Sequence, residues 1–129
     1  MNNKVILDAS ALLALIQEES GAEMIKPLLK FSVMSTVNIA ETLSVLQRAN
    51  ITPQEGLVLI TDIITTIIPF DLEQAEQVAK LHLLVQYKGL SLADRACIAL
   101  GIKLQIPIYT ADKIWKELKI NGADIQLIR

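Results

Sequence analysis

The chain has 129 residues, which suits one domain, and 52% of them are hydrophobic while only 4% are aromatic, so we expect an aliphatic core. The formal net charge of −2 argues against tight nonspecific binding to nucleic acid, and a single cysteine, Cys97, excludes an intramolecular disulfide and a thiolate cluster for zinc. Such a high hydrophobic content in a small domain predicts that a partner covers part of its surface.

The predicted elements alternate along the chain. The first half predicts a strand at 4–7, a helix from Asp8 or Ser10 to about 18, a helix at 22–30 that Pro27 bends or shortens, a strand at 33–35 and a helix at about 38–49. The second half predicts a helix at 53–63, a strand at 66–69, helices at 72–87 and 92–103, a strand at 106–109, a helix at 112–119 and a strand at 125–128.

Helix starts carry recognisable caps. Thr52 precedes Pro53, which suits the first helical position. Asp71 caps the next helix with Gln74 as the second half of a capping box, and Ser91 caps the one after it.

Alternating strands and helices predict an α/β fold in which helices cover both faces of a short parallel sheet. No linker, repeat or low-complexity segment interrupts 1–129, so we expect a single domain. Ligands of open parallel sheets bind beyond the carboxyl ends of the strands. Asp8 follows the first strand and Asp112 follows the fourth by a few residues, so both are expected at that edge.

Four acidic residues lie in sequence that otherwise resembles buried core. They are Asp8 in VILD, Glu41 in NIAETLSVL, Asp94 in LSLADRACIAL and Asp112 in IPIYTADKIW. Carboxylates are costly to bury unless they are paired or neutralised by a cation. If the fold brings them together, they form an oxygen-only pocket suited to Mg²⁺ or Mn²⁺, and the chain would be a metal-dependent hydrolase of phosphodiesters. Without these four, ten acidic residues face 12 basic ones, which suits transient contact with nucleic acid.

Each acid also has a purely structural explanation. Asp8 can cap the first long helix, and Glu41 and Asp94 stand three residues after Asn38 and Ser91, the capping-box spacing. Asp112 lies four residues before Lys116, a spacing that allows a surface ion pair. Capping and metal binding are compatible for one residue.

Four neighbouring side chains are candidates for supporting roles: Ser10, Thr110, Asn38 and Arg95. The two hydroxyls could orient a metal-bound water or a phosphate, and the asparagine could contact substrate, although helix capping explains all three. The arginine could reach a phosphate or pair with a site carboxylate, or be a solvated surface residue.

Other chemistry is poorly supported. His82 is the only histidine and lies among leucines, so it is interpreted as structural, and nucleophilic triads are excluded. Trp115 is expected in the core, and the five glycines form no phosphate-binding loop. The stretch LVLITDIITTIIPF contains Asp62 and is too short to span a bilayer, and MNNKVILD resembles no targeting segment, so a cytoplasmic location is expected.

Four segments together resemble the PIN domain, and more closely the toxin component of VapBC-type toxin–antitoxin pairs: VILDASALLALI, NIAETLSVL, GLSLADRACIALG and IPIYTADKIW. The resemblance extends over essentially the whole chain. It implies a three-layer α/β/α domain and a Mg²⁺- or Mn²⁺-dependent endoribonuclease in which Asp8, Glu41, Asp94 and Asp112 form the acidic quartet. It also implies a homodimer and a small VapB-type antitoxin as partner.

Two alternatives remain. A PIN-like fold could dock a protein partner without cutting RNA, although no acid of the quartet is missing. A phosphotransfer domain could use Asp8 after the first strand, but VILDAS lacks a second aspartate two residues on, and Asp71 after the third strand resembles a helix cap. Whether Glu41 is a metal ligand or orients the attacking water is left open, as are the number of ions and the RNA.

Overall fold

A five-stranded parallel sheet forms the centre of the protein in the computed structural model, which describes residues 3–85 and 89–129. The strands are β1 (Val5–Leu7), β2 (Ser32–Ser35), β3 (Thr66–Ile68), β4 (Ile108–Thr110) and β5 (Ile125–Leu127). Their order across the sheet is β3-β2-β1-β4-β5. The chain builds outward from β1 through β2 to β3 and then crosses back to β4, so the strand order reverses between β1 and β4.

The helices are α1 (Ala9–Ile16), α2 (Ala22–Ile25), α3 (Thr36–Leu46), α4 (Pro53–Ile63), α5 (Leu72–Val85) and α6 (Leu92–Leu104). Alternate residues of β1 face opposite sides of the sheet. Ile6 packs with α5 and α6, whereas Val5 and Leu7 pack with α1, α2 and α4. Helices therefore cover both faces, and the predicted three-layer α/β/α fold is confirmed.

Short-range chemistry explains several helix starts as predicted. Thr52 and Glu55 form a reciprocal capping box in front of Pro53, and Ser91 and Asp94 form another in front of α6. At α5, the Asp71 carboxylate accepts a hydrogen bond from the Gln74 backbone N–H at 2.9 Å. The second half of that predicted box is wrong, because the Gln74 amide donates to the Pro69 carbonyl and its Oε1 bonds to no described residue.

The start of α3 differs from the prediction. The helix begins at Thr36 rather than near 38, and its cap is Ser35, whose hydroxyl accepts from the Val37 backbone N–H at 3.2 Å. Asn38 therefore lies inside the first turn, and the predicted Asn38–Glu41 capping box is wrong. The serine that ends β2 already satisfies one of the free N–H groups of the helix.

Two further helices are shorter than predicted. The 22–30 helix is α2 followed by a 3₁₀ segment, Lys26–Phe31, because Pro27 cannot donate the next α-helical hydrogen bond. The 112–119 helix is a 3₁₀ turn, Lys113–Glu117, and Lys116 donates to the Ile125 carbonyl rather than pairing with Asp112. The fourth strand begins two residues late, and the last two residues of the predicted 72–87 helix lie outside the described residues.

The surface retains exposed apolar side chains. Three lie together on α4, where Leu57, Val58 and Leu59 are 46%, 70% and 38% exposed. Trp115 is fully buried, as predicted, whereas His82 is exposed on α5. Within the described ranges no helix combines the length and apolarity needed to cross a membrane.

Candidate metal centre

Asp8 leaves the carboxyl end of β1 and caps α1. Its carboxylate is 5% exposed and accepts three hydrogen bonds. Oδ1 accepts from the Ser10 hydroxyl at 2.7 Å and from the Ala11 backbone N–H at 2.8 Å, while Oδ2 accepts from the Thr110 hydroxyl at 2.7 Å. The cap expected from the sequence is therefore present, and it fixes the carboxylate in one orientation.

The neighbouring strand β4 ends in the same network. The Thr110 oxygen accepts from the Asp112 backbone N–H at 3.0 Å, and the Ser10 oxygen accepts from the Ala111 N–H at 2.9 Å. Asp112 then caps the 3₁₀ turn by accepting from the Ile114 N–H. The two predicted hydroxyls thus connect Asp8 to the segment that carries Asp112, over about 100 residues of sequence.

Glu41 and Asp94 come from two helices that pack against each other, α3 and α6. Glu41 is half-buried on the second turn of α3. Asp94 stands at the start of α6, where its Oδ2 accepts from the Ser91 N–H at 3.1 Å and its own N–H donates to the Ser91 hydroxyl at 3.1 Å. The Asp94 carboxylate is therefore held by its own helix terminus.

All four predicted acids line one cavity of about 240 Å³. Its other lining residues are Ala9, Ser10, Leu13 and Val45. The cavity opens where the strand order reverses, between the carboxyl ends of β1 and β4, which is the general ligand site of open parallel sheets. A larger cavity of about 390 Å³ lies between α5 and α6, but Glu73 is the one carboxylate that lines it.

The four carboxylates influence one another electrostatically. Burial raises the pKa of Asp8 from 3.8 to about 6, the hydrogen bonds from Thr110, Ser10 and Ala11 oppose this rise, and the Asp94 charge adds to it. Burial and the Asp94 charge also raise the pKa of Glu41, and the Asn38 side chain opposes this rise through a hydrogen bond. Burial raises the pKa of Asp94, its bonds to Ser91 lower it, the Asp112 charge raises it, and the Arg95 charge lowers it.

This arrangement fits a divalent cation. The donors are carboxylate oxygens, the ligands that Mg²⁺ and Mn²⁺ prefer, and a cation would offset both the burial and the repulsion that raise the pKa of Asp8, Glu41 and Asp94. In the described part of the chain, no three His, Cys, Asp or Glu side chains converge closely enough to hold an ion as they stand. Like charges favour separation in the absence of a cation, and Asp112 is exposed and Glu41 half-buried, so packing encloses neither side chain fully.

Two predicted supporting residues lie off the cavity. Arg95 donates from Nη1 to the Val78 carbonyl at 3.2 Å, which ties α6 to α5, so its guanidinium holds helices together and contacts none of the four carboxylates through a hydrogen bond. Asn38 is 1% exposed and donates to the Ala93 carbonyl at 3.0 Å.

Sequence reasoning missed the apolar wall formed by Ala9, Leu13 and Val45. Leu13 lies one helical turn and a residue beyond Asp8, and Val45 lies four residues after Glu41. Helical spacing from Glu41 would have identified Val45, and helical spacing from Ser10, three residues earlier, would have identified Leu13.

The fold and this site together define an α/β/α domain with a carboxylate-lined cavity at the switch point of a parallel sheet. The PIN domain family model matches residues 5–121, and the chain belongs to the PIN domain family. No curated protein sequence matches it.

Solved structures share the fold. DNA-bound VapBC from Salmonella typhimurium aligns with a TM-score of 0.72 and 14% identity over 98% of each chain. VapC20 from Mycobacterium tuberculosis, a sarcin-ricin loop cleaving toxin, aligns with a TM-score of 0.75 and 16% identity over 92% of this chain and 98% of that chain. DNA-bound VapBC2 from Rickettsia felis aligns with a TM-score of 0.71 and 16% identity over 95% of this chain and 97% of that chain.

Proposed function

We propose that this chain is a Mg²⁺- or Mn²⁺-dependent endoribonuclease that acts as the toxin of a VapBC-type toxin–antitoxin pair. The observation that carries the proposal is the convergence of four acids from four separate segments on one cavity at the carboxyl edge of the sheet. A structural role for each acid explains its local hydrogen bonds but not why all four line the same cavity. Membership of the PIN domain family supports nuclease chemistry.

Asp8, Asp94 and Asp112 are the proposed metal-holding residues, and Glu41 either joins them or orients the attacking water. The bound cation supplies Lewis acidity at the phosphodiester and an activated water. Asp8 is the anchor, since Ser10 and Thr110 hold both of its oxygens through hydrogen bonds of 2.7 Å. A carboxylate fixed in this way loses little conformational entropy when it binds a ligand.

The remaining side chains shape access to the site. Leu13 and Val45 form an apolar side of the cavity, so the carboxylates face substrate across a partly dry space where charge interactions are strong. The exposed Asp112 lies at the side open to solvent. An RNA strand would approach from that side with its phosphate toward the acids.

The proposed partner is a VapB-type antitoxin, and the proposed location is the cytoplasm. Solved proteins of the same fold are toxin–antitoxin complexes, including one from Klebsiella pneumoniae at a TM-score of 0.70 and 18% identity over 93% of this chain and 95% of that chain. The exposed apolar side chains on α4 supply surface for a partner to cover. A homodimer and a larger toxin–antitoxin assembly are part of this proposal.

The deciding experiment compares Asp8→Asn with Asp71→Asn in cleavage of total bacterial RNA, with Mg²⁺ or Mn²⁺ and with EDTA. Both aspartates cap a helix through a backbone N–H three residues later, and asparagine retains that capacity. They differ in position, because Asp8 lines the cavity and Asp71 does not. We expect metal-dependent discrete fragments from the wild type and from Asp71→Asn, and none from Asp8→Asn.

Equal cleavage by Asp8→Asn and the wild type would refute the assignment of the quartet. A folded wild-type chain that binds Mn²⁺ but leaves RNA intact would instead support the alternative of a non-catalytic PIN-like protein-binding module. Cleavage that persists in EDTA would refute the metal dependence.

A further inference from the structure

Asn38 is a buried amide at the contact between α3 and α6. It lies in the first turn of α3 with 1% of its surface exposed, and it does not cap the helix, because Ser35 does. Its side-chain Nδ2 donates across the helix interface to the Ala93 carbonyl at 3.0 Å. Its Oδ1 is buried and bonds to no described residue. A buried amide with an unpaired acceptor is costly, so its place in the fold needs an explanation.

The contacts of Asn38 lie between two acids of the cavity. Ala93 immediately precedes Asp94 in α6, and Glu41 follows Asn38 by three residues, which places the two side chains on the same side of α3. One hydrogen bond therefore joins the backbone beside Asp94 to the helix turn that carries Glu41. Thr42 strengthens this turn, since its buried hydroxyl donates to the Asn38 carbonyl at 2.8 Å.

The two helices have a reason to separate at this point. The negative charge of Asp94 raises the pKa of Glu41, so the two carboxylates repel each other. The capping box at Ser91 fixes the Asp94 carboxylate relative to α6, but it does not set the distance between α6 and α3. Among the side-chain hydrogen bonds of the described residues, the one from Asn38 joins α3 to α6.

We propose that Asn38 is a positioning residue that holds α3 and α6 together at the cavity and so sets the spacing of Glu41 and Asp94 for a divalent cation. This inference rests on the proposed function only in assuming that the cavity binds a metal. Asn38 does not line the cavity, but its side chain interacts with the Glu41 carboxylate and opposes the rise in the pKa of Glu41, so it acts on the site through the carboxylates. Supporting residues of this kind typically change metal affinity by about 10- to 100-fold.

The chain contains a matched control. Gln74 is also a buried amide at 2% exposure, it also donates one hydrogen bond to a backbone carbonyl, that of Pro69 at 2.9 Å, and its Oε1 is also unpaired among the described residues. It lies at the start of α5 and does not line the acidic cavity. Substituting it reproduces the structural cost of losing such an amide without disturbing the spacing between α3 and α6.

The experiment measures Mn²⁺ affinity by calorimetry on the full chain for the wild type, Asn38→Ala, Asn38→Leu, Gln74→Ala and Gln74→Leu, with thermal unfolding beside it. Alanine leaves space and leucine fills it, but both lack the amide donor. We expect both Asn38 variants to fold and to bind Mn²⁺ about tenfold more weakly, and both Gln74 variants to bind within about twofold of the wild type.

Unchanged Mn²⁺ affinity in the Asn38 variants would overturn the inference, as would an equal loss in the Gln74 variants or failure of both Asn38 variants to fold. The nuclease proposal is tested separately, by RNA cleavage in the same samples. A wild type that binds Mn²⁺ without cutting RNA contradicts the nuclease and leaves the affinity comparison to decide the role of Asn38. A wild type that binds no Mn²⁺ overturns both.

Discussion

Two helices of this chain begin with the same motif in different surroundings. Thr52 and Glu55 form a capping box at the start of α4, and Ser91 and Asp94 form one at the start of α6. The hydrogen bonds are nearly identical, with lengths of 2.9 to 3.1 Å. Yet the pKa of Glu55 is lowered, since its bonds to Thr52 favour the charged form, whereas burial raises the pKa of Asp94.

The difference shows what a local motif can and cannot determine. A capping box stabilises a carboxylate in either place, because it supplies hydrogen-bond donors to the charge. At α4 solvent surrounds the carboxylate, and desolvation opposes that effect less than the two bonds from Thr52 support it. At α6 the fold removes water and brings Asp112 close, and these two effects outweigh the donors. The carboxylate whose charged form the fold disfavours, that of Asp94, is therefore the one that lies in position to bind a cation.

The largest expected effect tests that contrast directly. Asp94→Asn and Glu55→Gln both retain an oxygen for the capping bond and both remove one negative charge. A residue that only supports a metal ligand typically changes activity by about 10- to 100-fold when it is replaced. We expect Asp94→Asn to lower the rate of metal-dependent RNA cleavage by more than that. We expect Glu55→Gln to leave the rate unchanged. Initial cleavage rates at saturating Mg²⁺ measure this. Similar cleavage rates for the two variants would contradict the prediction that Asp94, and not Glu55, belongs to the metal site.

A second prediction concerns pH and stability. Because the pKa of Asp8 is about 6 in the folded chain, against 3.8 normally, the folded state binds the proton more tightly than the unfolded state. The free energy of unfolding of the metal-free chain should therefore fall as the pH rises from about 4 to about 6. Above that range, the charged Asp8 lowers it by about 3 kcal/mol relative to its value at low pH. Asp8→Asn should abolish this cost and make the profile less steep, while Glu41 and Asp94, whose pKa values are also raised, keep their own contributions.

Urea unfolding in EDTA across that range, for the wild type and Asp8→Asn, measures the difference. Added Mn²⁺ should stabilise the wild type above pH 6 and much less below it, because protons compete for the same carboxylate. Parallel profiles for the two chains would contradict the assignment of the proton to Asp8.

A smaller effect is expected from Thr110→Val, which keeps the shape of the side chain and removes the donor to Asp8 Oδ2. Losing that bond should raise the pKa of Asp8 further, because it currently opposes the effect of burial. We expect cleavage at pH 7 to fall by about tenfold and the rising limb of the pH–rate profile to move to higher pH. Pure loss of folded protein would lower the profile without moving it, so the position of that limb is the observable.

The smallest effects are expected from the two serine and threonine caps of the capping boxes. Ser91→Ala and Thr52→Ala each remove one capping hydroxyl and should each destabilise the chain by about 1 kcal/mol in thermal unfolding. Only Ser91→Ala should also weaken Mn²⁺ binding, by a few-fold, because Ser91 holds Asp94. Weaker Mn²⁺ binding in Thr52→Ala would indicate that the change is transmitted through stability and not through the cavity.

Much of the site was accessible from the sequence because it rests on short-range patterns. Asp8 directly after an apolar strand and Asp94 three residues after Ser91 are local features, and the structure contains both caps. The alternation of strands and helices predicted the layered fold and the edge at which Asp8 and Asp112 lie. The roles of these acids in metal binding are still predictions.

The wrong predictions arose where two local solutions compete. Ser35 and Asn38 are both good helix caps, and the sequence does not say which one the chain uses. The end of β2 decides it, because the strand is held in register with β3 through Ser35 and Ile68. Likewise, the stretch after Asp112 is helical by composition, but Lys116 bonds to the Ile125 carbonyl beside it, and the turn stays 3₁₀.

The sequence by itself determined the periodicity of the strands and helices, most of the caps and the positions of four acids, since these depend on residues within about four positions of one another. Tertiary structure decided which face of each helix is buried, which carboxylates share a cavity and which group Asn38 bonds to. Burial and repulsion between charges depend on distance in space, and Asp8 and Thr110 meet across about 100 residues of chain. The raised pKa of Asp8 and the link between α3 and α6 follow from that packing.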